Sequence, residues 1–296
     1  MVKVWHGVFG VLCTPFSEDE QVDEQALRRH IRFLLDEGRV HGIIPTGSTG
    51  EFVLLSEEER KKVVDITIDE VKGSVPVVVG AAAASTRDTI MYAQYAQEVG
   101  ADGVMVVSPY YCHPSQEELY QHYRTLAQNI DIPIMLYNNP GTSGVDILPP
   151  LVERLAKIDN VSYIKESTGD MGRVAEIMRR CGDRMTVLCG CDTLALEMFA
   201  MGVRGWVAAP ANVVPGLCVE LYELAVVQGD LAKARELYFK LLPLFDMFES
   251  TGQYVQLVKA GLEMLGRPAG VPRRPLLPAS KHARARLWAI LESLGL

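Results

Sequence analysis

Gly100-Ala101-Asp102-Gly103-Val104-Met105-Val106-Val107-Ser108 joins the end of an amphipathic stretch to a short apolar run. The first glycine reads as a left-handed helix C-cap, where the missing Cβ removes the steric penalty. The run after the second glycine is apolar without alternation, the pattern of a strand covered on both faces. The same junction recurs at Gly38-Arg39-Val40-His41-Gly42 and at Gly202-Val203-Arg204-Gly205. The first glycine of each copy is expected to be the left-handed cap. The intervals between copies differ, which indicates a recurring βα unit rather than a tight solenoid repeat.

Working outward, strand candidates fall at 7–13, 42–46, 75–79, 103–108, 133–137, 161–165, 185–189 and 205–209. Amphipathic stretches lie between them, for example at 23–37, 56–72, 85–99, 116–128 and 171–180. Ser56-Glu57-Glu58-Glu59 forms a capping box with acids on the positive helix end. Eight such units within about 230 residues predict a (β/α)8 barrel. A doubly wound open sheet is the alternative, but it usually carries a Gly-rich dinucleotide loop after an early strand. Here the early loop, Gly47-Ser48-Thr49-Gly50-Glu51, is too short and bears hydroxyls. Strands stop at Leu231, which divides the chain into a barrel, 1–230, and a C-terminal helical region, 231–296. Helices are expected there at 231–249, 254–265 and 280–294, with Pro243 kinking or breaking the first.

With 296 residues, 48% of them apolar, the chain can bury a large core. Its net charge of −8 argues against a nucleic-acid surface. No stretch reaches the ~18 uninterrupted apolar residues of a membrane span, and the first seven residues have no signal-type apolar core. A cytoplasmic location is the default expectation. Six cysteines include no C-x-x-C pair, and the six histidines form no ligand pair, so a metal site is not expected.

In such barrels chemistry sits at the C-terminal strand ends. Those ends supply Cys13, Thr14, Thr46, Ser48, Thr49, Ser108, Tyr110, Tyr111, Tyr137, Asn138, Lys165, Cys191, Asp192 and Asn212. One lysine, several hydroxyls and no histidine suit imine chemistry better than hydrolysis. Lys165 closes the apolar run Val161-Ser162-Tyr163-Ile164. Burial disfavours an ammonium, and a neutral amine attacks ketones to form a Schiff base. A lysine with its head in solvent is the structural alternative. Tyr137 could shuttle protons beside that amine. Ser48 and Thr49, between two glycines, read either as a plain turn or as a carboxylate site of hydroxyls and amide N–H groups.

Gly47-Ser48-Thr49-Gly50-Glu51, Ser108-Pro109-Tyr110-Tyr111, Tyr137-Asn138-Asn139-Pro140 and Ile164-Lys165-Glu166-Ser167 occur in this order over most of the chain. Together they resemble the dihydrodipicolinate synthase / N-acetylneuraminate lyase family of class I aldolases. The resemblance implies Lys165 as the Schiff-base residue, Tyr137 as proton shuttle, and Ser48 as the bridge from Tyr137 to the substrate carboxylate. It implies that Thr49 binds the carboxylate, that Gly190 and Val207 line the site, and that Tyr111 reaches into a neighbouring subunit's site. A homotetramer, a small-molecule 2-oxo acid substrate such as pyruvate, and no cofactor beyond the covalent imine follow from it.

Departures bear on the second substrate. Thr142 stands where dihydrodipicolinate synthases carry an arginine for the aldehyde's carboxylate, a loss of roughly 1.5–3 kcal/mol of charge-assisted bonding. Asparagine is absent near Ala84, so lysine feedback is not expected. Thr193 and Ala209 replace the glutamate and serine of the sialic-acid lyases. Thr142 and Asp192 join the candidate substrate contacts. The leading expectation is a class I lyase that forms a Schiff base with pyruvate or another 2-oxo acid and makes or cleaves a carbon–carbon bond, similar to the 2-keto-3-deoxy sugar acid aldolases. Alternatives are condensation of pyruvate with aspartate semialdehyde and, in another class, a non-catalytic 2-oxo-acid-binding protein.

Overall fold

The computed structural model describes residues 5–296. Eight parallel strands run β1 (Gly7–Val11), β2 (Gly42–Ile44), β3 (Val78–Gly80), β4 (Gly103–Val107), β5 (Ile134–Asn138), β6 (Val161–Glu166), β7 (Thr186–Cys189) and β8 (Gly205–Ala208). Their order is β2-β1-β8-β7-β6-β5-β4-β3. The open ends of that order meet: Ile43 bridges Val77 in parallel. Ile43 N donates to Pro76 O at 3.0 Å, and Gly80 N to Pro45 O at 2.9 Å. Neighbours in sequence are therefore neighbours in space all the way round, which excludes the doubly wound sheet and gives a (β/α)8 barrel.

Helices α1 (Glu24–Arg32), α2 (Glu57–Val71), α3 (Thr86–Glu98) and α4 (Gln116–Ala127) follow the first four strands. A single turn, α5 (Pro140–Ser143), and α6 (Pro149–Leu155) follow β5. Then come α7 (Met171–Cys181), α8 (Ala195–Ala200) and α9 (Pro215–Tyr222). The capping box expected at Ser56 is present: Ser56 accepts from Glu59 N while the Glu59 side chain accepts from Ser56 N.

The barrel floor is stoppered by aromatic rings. Trp5 stacks on Tyr163 with centroids 4.2 Å apart. A Cβ at Gly103 would lie 2.3 Å from the Trp5 ring, so this glycine admits the stopper. With the N-terminal end filled, the opposite end is left for the site.

Three C-terminal helices, α10 (Leu231–Ser250), α11 (Tyr254–Met264) and α12 (Lys281–Ser293), pack beside the barrel. Phe245 of α10 meets the buried Trp206 of β8 edge-on at 5.6 Å. No helix among the described residues is long and apolar enough to cross a membrane.

Two local expectations are corrected. Gly100 and Gly202 are left-handed, with φ of 87° and 97°. Gly38 is not; its φ is −76°. The first helix ends in a wider π turn over Phe33–Glu37, and Gly38 N bonds Phe33 O. That extra residue passes the left-handed position to Arg39, φ 54°. Gly38 is instead a contact glycine, since a Cβ there would come within 2.4 Å of Pro215 Cβ. Nor does Pro243 break its helix: α10 runs unbroken through it for 20 residues. The lost N–H bond is offset by burial of Leu241, Leu244, Phe245, Met247 and Phe248 on the same helix.

Candidate active site

Tyr137 and Lys165 are register partners on adjacent strands β5 and β6, so their side chains leave the sheet on the same face. Lys165 is 7% exposed. Its Nζ lies 4.0 Å from the centroid of the Tyr137 ring. The Tyr137 hydroxyl accepts a hydrogen bond from Asn139 Nδ2 at 2.9 Å. Its own proton can therefore be directed at a substrate, a role for Asn139 that reading strand ends alone did not show.

The next residues along the two strands, Asn138 and Glu166, are also partners and by alternation face the helices. Asn138 Nδ2 donates to Glu166 Oε2 at 3.1 Å and to Asp146 Oδ1 at 3.0 Å. Thr168 N donates to Glu166 Oε1 at 2.8 Å. Arg173 closes the network on Asp146 at 2.7 and 2.8 Å. Burial pushes the Glu166 carboxyl above its usual range. Both strand ends are thus pinned immediately behind Lys165 and Tyr137.

Gly190 follows β7. A Cβ there would lie 2.0 Å from Ser167 Oγ and 2.8 Å from both Glu166 O and Lys165 Cγ. Only glycine leaves the Lys165 stem its path.

The loop after β2 carries Ser48, exposed, and Thr49, buried. It is bounded by two left-handed non-glycine residues, Thr46 at φ 54° and Glu51 at φ 58°. Thr46 Oγ1 donates to Gly80 O at 2.9 Å, and Thr14 Oγ1 to Gly50 O at 2.7 Å. The loop is thereby tied to the segment that follows β1 and to β3.

One cavity of about 440 Å³ collects these groups: Ser48, Thr49, Tyr137, Asn139, Thr142, Lys165, Gly190, Asp192 and Val207 all line it. Glu249, Tyr254 and Val255, from the end of α10 and the start of α11, complete its wall. These three lay outside the sequence reading, which looked only at strand ends. The polar break Glu249-Ser250-Thr251-Gly252-Gln253 between two helices was the available signal.

Asp192 is buried, accepting from Trp206 Nε1 at 2.9 Å and from the Tyr254 hydroxyl. Burial and the nearby Glu249 carboxylate push it up to about 7, against the lowering pull of its two donors and Lys165. Glu249 accepts from Asp192 N at 2.5 Å and from the Thr193 hydroxyl, which occupies Thr193 away from the cavity. Among the described residues lining the cavity, Lys165 is the one cationic side chain.

Other strand-end candidates lie elsewhere. Tyr111 is 88% exposed and does not line the cavity of its own chain. Asn212 is a clamp, accepting from Cys13 N and donating to Val11 O and Ala209 O. Ser108 bonds Tyr123. A larger, shallower hollow of about 540 Å³, lined by Phe52, Arg60, Ala84 and Tyr110 among others, contains none of the Lys165 group. Among the described residues, no three His, Cys, Asp or Glu side chains gather as a metal would need.

Comparisons with known proteins agree with this fold. A model of the dihydrodipicolinate synthetase family matches residues 4–294. A 4-hydroxy-tetrahydrodipicolinate synthase of Archaeoglobus fulgidus is 39% identical over 294 residues, 99% of each chain. One from Pelobacter propionicus is 40% identical over 99% of this chain and 100% of its own. The solved dihydrodipicolinate synthase of Aquifex aeolicus superposes with a TM-score of 0.94 at 37% identity, over 99% of both chains. That of Acinetobacter baumannii, solved with pyruvate, gives 0.92 at 32% identity, over 98% of this chain and 99% of its own. The chain belongs to the dihydrodipicolinate synthetase family, a family of lyase-type enzymes.

Proposed function

We propose that the protein makes or cleaves a carbon–carbon bond next to a 2-oxo acid, through an imine on Lys165. The observation that carries this is the buried Lys165 amine against Tyr137 in a cavity that the hydroxyls of Ser48 and Thr49 and the amide of Asn139 also line. The Lys165 nitrogen attacks C2 of the oxo acid, and the carbonyl oxygen leaves as water after two proton transfers through Tyr137. The protonated imine then takes up the electron pair of the breaking C3–C4 bond, or releases it to an aldehyde when that bond forms. Ser48 and Thr49 hold the carboxylate. No organic cofactor is needed, because the cationic imine is the electron sink.

For the second half, a neutral hydroxylated aldehyde fits best, as in the 2-keto-3-deoxy sugar acids. Thr142, Asp192 and Glu249 offer a second carboxylate no positive partner, and two of them are acids. The names of the relatives favour a second reading, condensation of pyruvate with aspartate semialdehyde. The exposed Tyr111 fits a homotetramer in which it completes a neighbour's site, and a cytoplasmic location fits a soluble metabolic lyase. Sedimentation analysis checks the assembly.

The decisive experiment is borohydride reduction with pyruvate present, followed by peptide mass spectrometry. An adduct on Lys165, lost in Lys165→Ala, is expected; its absence would sink the mechanism. Turnover on a panel of 2-keto-3-deoxy acids and on aspartate semialdehyde then separates the two readings.

A further inference from the structure

The short loop that carries Ser48 and Thr49 ends on Glu51, a left-handed residue that is not glycine. Such a conformation persists only where the surroundings fix it. Glu51 turns its carboxylate away from the cavity, toward α11. Its Oε1 lies 2.7 Å from Lys259 Nζ, and its Oε2 accepts from Arg273 N at 2.8 Å. Both partners of the ion pair are 2% exposed. Lys259 Nζ also donates to Val271 O at 2.9 Å and sits 4.3 Å from the centroid of the Phe16 ring. The segment it grips is itself anchored, because Arg273 NH1 donates to Leu54 O at 2.8 Å and to Glu59 at 2.6 Å.

A buried charge pair is a poor source of stability, since desolvation offsets most of the attraction. Apolar side chains of similar size would serve a plain staple as well. What the pair does supply is direction: the carboxylate has one buried cation to meet, and meeting it fixes the backbone two residues after Thr49. We infer that the buried Glu51–Lys259 ion pair is a positioning device. It holds the 47–51 loop in the shape in which Ser48 and Thr49 grip the carboxylate of the 2-oxo acid. This rests on the function proposed above. Glu51 and Lys259 touch no substrate; they act through the loop.

The test measures the concentration of carbonyl compound that half-saturates reductive trapping on Lys165. Pyruvate is compared with hydroxyacetone, a ketone without a carboxylate. The variants are Lys259→Met and the double variant Glu51→Gln/Lys259→Met, which leaves no unpaired buried charge if the single variant fails to fold. The expected result is a rise for pyruvate of about tenfold or more, with hydroxyacetone within about twofold. In steady state, KM for the oxo acid rises while kcat stays within about threefold. Equal shifts for both ketones, or a pyruvate value within about twofold of the wild type in a folded variant, overturn the inference. Failure of both variants to fold makes the pair a stability element and overturns it as well. If wild-type protein traps hydroxyacetone but not pyruvate at Lys165, the carboxylate site itself is misassigned. If it traps neither, the function proposed above falls and takes this inference with it.

Discussion

At the scale of single residues, the site depends on where the Lys165 stem runs and where the Tyr137 proton points. Gly190→Ala places a Cβ within 2.8 Å of Lys165 Cγ and of the Glu166 carbonyl, which is backbone and cannot yield. Misplacing a nucleophile by about 1 Å can slow a reaction on the order of 100-fold. Single-turnover trapping by pyruvate should slow by tenfold or more in this variant, while far-UV circular dichroism stays that of the wild type. Unchanged trapping would mean that Lys165 reaches the substrate by another path. Tyr137→Phe should lower kcat by roughly 10²–10⁴-fold, the usual worth of a positioned acid–base group. These residues were legible because strand ends are where a barrel displays its chemistry. Asn139 was quoted in the motif but had no assigned part, since the bond it gives Tyr137 depends on a turn that spacing does not specify. Tyr254 and Glu249 lie more than fifty residues beyond Asp192, and the polar break that marks them does not by itself say that it folds back onto the cavity.

At the scale of elements, the pairing of β5 with β6 is what sets Tyr137 beside Lys165. Its lock lies on the other face, where Asn138 bonds Glu166 and Asp146 and accepts from Ile147 N at 2.9 Å. Asn138→Ala leaves that buried N–H and a buried carboxylate oxygen without a partner. An unsatisfied buried group costs about 1–3 kcal/mol, so urea unfolding should show a loss of about 2 kcal/mol or more. A loss below about 0.5 kcal/mol would assign the lock to Arg173–Asp146 instead. Strand and helix positions were readable from apolar runs and caps, and element ends differ from expectation by one or two residues at most places. The left-handed cap expected at Gly38 and the break expected at Pro243 fail for one reason. Propensity sees the residue alone, whereas a π turn and a buried helix face settle the backbone through contacts made elsewhere.

Across the whole molecule, buried titratable groups on different sides of the barrel set opposing pH responses. His30 on α1 bonds Asn212 Oδ1 through Nε2 at 2.8 Å, and burial holds it down to about 4. His122 on α4 is buried against Tyr123, and desolvation likewise holds it at about 4. Between about pH 4 and 6.5 the unfolded chain binds protons that these two imidazoles refuse in the fold. Their contribution to stability is therefore complete above 6.5 and is lost as pH falls toward 4, by about 1.4 kcal/mol per pH unit for each proton. Asp192 works the other way. Its carboxyl, raised to about 7, keeps a proton in the fold that the unfolded chain has released above about 4, so its contribution is lost as pH climbs from about 4 to 7. Differences between variants and wild type isolate each term from the remaining carboxylates. The stability of His30→Gln/His122→Gln relative to wild type, from urea midpoints at several pH values, should rise as pH falls from 6.5 to 4. That of Asp192→Asn should rise as pH increases from 4 to 7. A flat difference for the histidine variant would mean that the imidazoles take up protons in the fold after all. A flat difference for Asp192→Asn would mean that Lys165 and the Tyr254 and Trp206 donors keep Asp192 ionised. In that event Asp192 adds a negative charge to the cavity wall at neutral pH, and the preference for a neutral aldehyde over an anionic one becomes stronger.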